Sequence, residues 1–99
     1  MGNAALTVSL IGAPTDIGAS ARGASMGPEA LRVAGLQPAL EARGLTVLDR
    51  GNLGGPRNPW LPPVDGYRHL AEVAEWNRAV HGAVLGELRA GSLPVLLGG

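Results

Sequence analysis

The sequence predicts an α/β fold, a parallel sheet of about three strands with two to three helices. Short apolar runs at residues 5–11, 45–48 and 93–97 alternate with longer stretches whose apolar residues recur at helical spacing. That order is the βαβ unit of a parallel sheet, whose crossover is almost always right-handed. The runs are nearly continuous, as suits strands covered by helices on both faces. The first run also feeds a long glycine-rich stretch, IGAPTDIGASARGASMGP at residues 11–28. In open α/β sheets such strand-to-helix loops lie at the carboxyl ends of the strands and build the ligand crevice.

Residues 5–11 form the first strand. Gly27-Pro28-Glu29 reads as a helix start, since proline is tolerated in the first turn and an acidic residue favours the positive end of the helix dipole. Ala30, Leu31, Val33 and Ala34 supply its inner face up to Gly35. A second helix begins at Gln37-Pro38, turns Leu40 inward and ends at Arg43-Gly44, where glycine takes the left-handed position after the last turn. Residues 45–48 make the second strand. From Asp49 to Pro63 there are three Gly and four Pro, too many for a regular element, so this is an irregular surface excursion within one domain. Asp65 or Gly66 opens the longest helix, over residues 67–90. Its inner stripe is Leu70, Val73, Val80, Val84, Leu85 and Leu88, at spacings of three, four and seven. Arg68, Glu72, Glu75, Arg78 and Glu87 form the opposite, solvated face, and Asn77 falls on the apolar stripe, where burial would demand hydrogen-bond partners. Gly91 stops the helix. Residues 93–97 are the third strand, with Pro94 near its start, where a missing N–H is tolerated.

Composition narrows the function. Hydrophobic residues are 45% of the chain and aromatics 3%, with no Phe, so a thin core is built from Ala, Val, Leu and Ile. Eight Arg balance eight Asp plus Glu with no basic run, which argues against a nucleic-acid partner. No apolar run approaches the roughly 20 residues of a membrane span, and no signal sequence opens the chain; the reading is a soluble cytoplasmic protein. Without cysteine, disulfides and thiolate chemistry are excluded. The two histidines, His69 and His81, both fall in the long helix, about 18 Å apart along its axis. They cannot share a metal ion and read as surface residues. Asp16 and Asp49 each stand alone in a loop. No H-E-x-x-H, G-x-S-x-G, G-x-G-x-x-G or P-loop pattern occurs, so no catalytic and no metal-binding residue is assigned.

What remains is the pattern G-x-P-x-D-x-G-x-x-x-R-G-x-x-x-G-P-x-x-L-R from Gly12 to Arg32. With Gly12, Pro14, Asp16, Gly18, Arg22, Gly23, Met26-Gly27-Pro28, Leu31-Arg32 and Ala34-Gly35 in register, it resembles the N-terminal segment of the arginase family of ureohydrolases, the bacterial arginases most of all. The resemblance resumes at Ala71–Glu75 with Asn77 and closes on Pro94-Val95-Leu96-Leu97-Gly98-Gly99; residues 50–66 carry none of it. Asp16, Arg22, Gly23 and Gly27 are the candidate rim of a site. Two readings stand for the polar pair: Arg22 orients a substrate carboxylate, or Asp16 accepts loop N–H groups while Arg22 binds loop carbonyls.

The resemblance implies that residues 1–99 are the N-terminal, incomplete portion of one three-layer α/β/α domain. It also implies a binuclear manganese centre that converts L-arginine to L-ornithine and urea, and a homo-oligomer, trimer or hexamer. Family members continue from the Gly98-Gly99 position into Asp-His, the first manganese ligand, so the expectation is a chain inactive by itself. Agmatinase, guanidinobutyrase and formiminoglutamase share the loop in altered form and form the alternative, as does a truncated, non-enzymatic α/β fragment.

Overall fold

The structure, a computed structural model, describes residues 6–99. Its elements are β1 (Thr7–Ala13), a 3-10 turn (Ala24–Met26), α1 (Gly27–Val33), α2 (Leu36–Glu41), β2 (Thr46–Asn52), α3 (Leu70–Arg89) and β3 (Leu93–Gly98). Among the described residues three strands form one sheet in the order β2-β1-β3, both pairings parallel. β1 is therefore central. Successive side chains of a strand point to opposite faces. Val8 and Leu10 of β1 pack with Val47 and Leu97 under Leu36 and Leu40 of α2. Ser9, between them and equally buried, turns the other way and donates its hydroxyl to Glu87 of α3 at 2.6 Å. Helices thus cover both faces, as the continuous apolar runs predict.

Several boundaries move. Ala5, the first residue of the predicted first strand, lies outside the described residues, and the strand runs on to Ala13. β2 takes in Asp49, Arg50, Gly51 and Asn52, which the sequence places in the irregular excursion. An irregular register makes this continuation workable: Leu10 pairs with Asp49 but Gly12 pairs with Asn52, so β2 carries one extra residue. Gly51 supplies the φ of 75° that the bulge needs, and the Asp49 carboxylate accepts the Gly51 N–H at 2.8 Å. The bulge restores Asn52 to the face of Asp49, from which a strict two-residue alternation would remove it.

The long helix starts later than predicted. Asp65 and Gly66, at φ 52° and 81°, form a two-residue turn across which Val64 and Tyr67 exchange both backbone hydrogen bonds at 2.9 Å. The helix begins only at Leu70. Its packed face also differs: Trp76 is buried, Val73, Val80, Ala83, Val84, Leu85 and Glu87 are half-buried, and Leu70, Leu88 and Asn77 are exposed. Asn77 therefore needs no buried partner, and Glu87 belongs to the sheet side. In α1 the predicted inner residues Ala30, Leu31, Val33 and Ala34 are exposed, Val33 at 85%. That helix docks instead by Pro28, buried, and Arg32, half-buried. Gly44 and Gly91 take the expected left-handed conformation after α2 and α3.

Candidate functional site

The signature loop leaves β1 at Ala13 and returns to α1 at Gly27, beside the end of β3. Gly27 is helical, φ −53°, so its role is space: a Cβ there would collide with the Gly98 carbonyl oxygen. Gly99 likewise lies against the Ala24 carbonyl. Backbone-to-backbone packing of this kind fixes the loop's end on the carboxyl edge of the sheet. Gly23, by contrast, has φ 125° and open space around it, the conformational use of glycine.

Pro14, Thr15, Asp16, Arg22, Gly23, Ser25 and Met26 on one side and Pro56, Arg57, Asn58 and Trp60 on the other line an open groove of about 710 Å³. The excursion is thus the second wall of the groove. Gly55 threads between Trp76 and the Pro14 carbonyl, where a Cβ would approach that oxygen to 2.7 Å. Thr15 donates its hydroxyl to the Pro56 carbonyl at 3.2 Å and accepts the Ile17 N–H at 3.1 Å. Asn58 donates its amide to the Asp16 carbonyl at 2.6 Å and accepts the Trp60 N–H at 2.8 Å.

These contacts bear on the second reading of the polar pair alone. Asp16 is tied through its main-chain carbonyl, which also accepts the Ala19 N–H at 2.8 Å, rather than through carboxylate contacts to loop N–H groups. The Arg22 guanidinium lies 5.7 Å from the centre of the Trp60 ring, a cation–π contact instead of a carbonyl clamp. His69 is not a surface residue of the helix; it precedes α3 and binds both the signature loop and the excursion. His81 is exposed.

Asp49 is paired, not alone. Arg32 presents Nε and Nη2 to its two carboxylate oxygens at 2.9 and 3.0 Å, and Nη1 to the Asn52 side-chain oxygen at 2.6 Å. A Cβ on Gly12 would overlap that oxygen, so the glycine of β1 leaves room for this cluster. The guanidinium hydrogen bonds hold the Asp49 carboxyl below its usual range, helped by the Gly51 N–H, and the same pairing raises Arg32. On the opposite face, Glu87 accepts from Ser9 and from Arg50 Nε at 3.1 Å; first the hydroxyl and then the guanidinium lower its carboxyl. Neither network was foreseen. The Glu29-x-x-Arg32 spacing and the Asp49-x-Gly51 pair were the available signals.

Known proteins meet this geometry closely. The profile of the Arginase family matches residues 6–99. The chain belongs to the arginase family. Arginase from Brevibacillus brevis is 36% identical over 92 residues, covering 93% of this chain and 31% of that protein. The structure of arginase from Bacillus subtilis superposes with a TM-score of 0.80 at 33% identity, covering 94% of this chain and 30% of that one. That from Bacillus caldovelox gives 0.81 at 32%, covering 92% and 31%. The arginase-type α/β fold is therefore present here over just under a third of the length of these relatives, and one wall of the groove is the segment on which the resemblance to the family rests.

Proposed function

We propose that this chain is the N-terminal portion of a single arginase-like domain, and that the complete enzyme hydrolyses L-arginine to L-ornithine and urea. The observation that carries the reading is the signature loop meeting the end of β3 at one open edge of a parallel sheet, in a chain similar to arginases along nearly all of its length. In such an enzyme two manganese ions supply the nucleophile, because a metal-bound water loses its proton near neutral pH. In this reading the residues here do not hold that centre. Among the described residues no three His, Cys, Asp or Glu side chains come together, and no catalytic step is assigned to them. Their contribution is shape: Gly23 and Gly27 set the loop's path, and Asp16 and Arg22 line the rim. The same reading takes the enzyme as a cytoplasmic homo-oligomer, trimeric or hexameric; among the described residues no helix is long and apolar enough to cross a membrane.

The test is a urea assay on the protein expressed with whatever the reading frame encodes after the Gly99 codon, supplied with manganese. Urea from L-arginine, with far less from agmatine, is expected. The 99-residue chain alone should release none and bind manganese without a tight stoichiometric site. Urea release by the short chain would overturn the division of labour. Preference for agmatine in the longer protein would replace arginase by its alternative.

A further inference from the structure

His69 stands where three segments meet. Its Nδ1 lies 2.6 Å from the Ile17 carbonyl oxygen in the signature loop, and its Nε2 lies 3.3 Å from the Leu61 backbone nitrogen in the excursion. An amide N–H can only donate, so Nε2 must carry a lone pair. A carbonyl can only accept, so Nδ1 must carry the proton. One neutral tautomer satisfies both bonds; the other opposes both, and an imidazolium loses the Leu61 bond. The ring is aimed by a backbone in the left-handed region, φ 51°, uncommon for a residue other than glycine, while the His69 carbonyl accepts the Val73 N–H at 3.0 Å as α3 begins. Strained residues of this kind persist where surrounding contacts over-determine them.

We propose that His69 is a positioning residue: as the Nδ1–H tautomer it latches the signature loop to the excursion, so that the two walls of the groove move as one body. Asn58 and Thr15 staple the same walls nearer the opening, and the groove's shape then depends on a ring that lines neither wall. The consequence for catalysis rests on the arginase reading above. The latch itself does not.

Two measurements test it, both on the protein as its reading frame encodes it. Nitrogen NMR of the imidazole at about pH 8, above the ordinary histidine range, should show His69 protonated at Nδ1 and bare at Nε2; the Nε2–H form overturns the proposal whatever any variant does. Trypsin supplies the second measurement. Arg22 and Arg57 lie on the two walls, whereas Arg43 lies in the turn after α2, which the latch does not touch. His69→Ala should speed cleavage after Arg22 and Arg57 about fivefold relative to Arg43, the effect of one lost hydrogen bond on a local opening equilibrium. His69→Asn, whose amide donates from nearly the Nδ1 position and which tolerates the left-handed backbone but has no atom where Nε2 accepts from Leu61, should restore protection after Arg22 and leave cleavage after Arg57 fast. Equal acceleration at all three sites, or full protection after Arg57 in His69→Asn, overturns the latch in favour of a general stability role. In that protein the corresponding result is a higher KM for L-arginine in His69→Ala, only partly recovered by His69→Asn. An unmodified enzyme that releases no urea would sink the arginase reading and leave the latch standing.

Discussion

Replacing Gly27 by Ala should destabilise the chain, although the position is helical and alanine is the better helix former. The gain is about 1 kcal/mol of helix propensity. Against it stands a methyl group directed at the Gly98 carbonyl oxygen, at a separation no real Cβ tolerates. Both partners are backbone, so neither a rotamer change nor a small side-chain shift relieves the overlap; α1 must move away from β3. Forced insertion of a methyl into a packed contact costs about 1–3 kcal/mol, and this contact belongs at the upper end, leaving a net loss of about 1–2 kcal/mol. Gly82→Ala is the control. It lies in α3, and among the described residues a Cβ there meets no heavy atom within 4 Å, so it should gain about 1 kcal/mol. The two variants should differ in melting temperature by roughly 10–20 °C in a chain of this size, read by circular dichroism. Equal stabilisation by the two substitutions would refute the close approach of the signature loop to β3, and with it the rim that the loop builds.

Arg32→Lys should cost about 1–2 kcal/mol in denaturant unfolding, because an ammonium cannot bind both Asp49 oxygens and Asn52 together; a loss below a few tenths would show that the fork is idle. Asp49 and Glu87 have carboxyls lowered in the folded state, so the stability they confer is fully present above the ordinary carboxylate range and is lost as pH falls through their depressed values. Stability should accordingly hold level near neutrality and fall in acid below about pH 4, with Asp49→Asn and Glu87→Gln each flattening the fall; Arg32, raised, would add a loss only at strongly alkaline pH. Val33→Lys should leave the melting temperature unchanged while reducing binding of a hydrophobic dye, since Val33 is 85% and Met26 68% exposed on the outer side of α1; unchanged dye binding would place the apolar surface elsewhere.

How much was legible follows from what each residue's signal could encode. Strand order along the chain, the two helices between β1 and β2, and the glycine stops at Gly44 and Gly91 were readable, because local backbone preference decides them. The long helix shows where such reading ends. Its packed face runs through Val73, Trp76, Val80, Ala83, Val84 and Glu87, at spacings of three or four apart from the adjacent Ala83 and Val84. The stripe drawn from the sequence shares Val73, Val80, Val84 and Leu85 with the half-buried residues and departs at Leu70 and Leu88, and at Asn77 beside the buried Trp76. Adjacent residues of a helix differ by about 100°, so choosing Asn77 over Trp76 moves one edge of the face toward Leu70 and Leu88, while Val73, Val80 and Val84 stay in both. Glu87 reinforced the error, since a carboxylate reads as solvated until a buried Ser9 and Arg50 appear opposite it. The groove was half legible for the same reason. Residues 11–28 announce a site through glycine spacing, but residues 53–61 become its second wall only through Thr15, Asn58 and His69, whose partners lie 41 to 52 positions away. Beyond Asn52, proline and glycine in the excursion said truthfully that it lacks regular structure. They could not say that it is held, and a wall of irregular backbone can be held only by side chains that reach its carbonyl and N–H groups. Asn58, Thr15 and His69 are three such polar side chains, and each spends both donor and acceptor on that backbone or on the loop facing it.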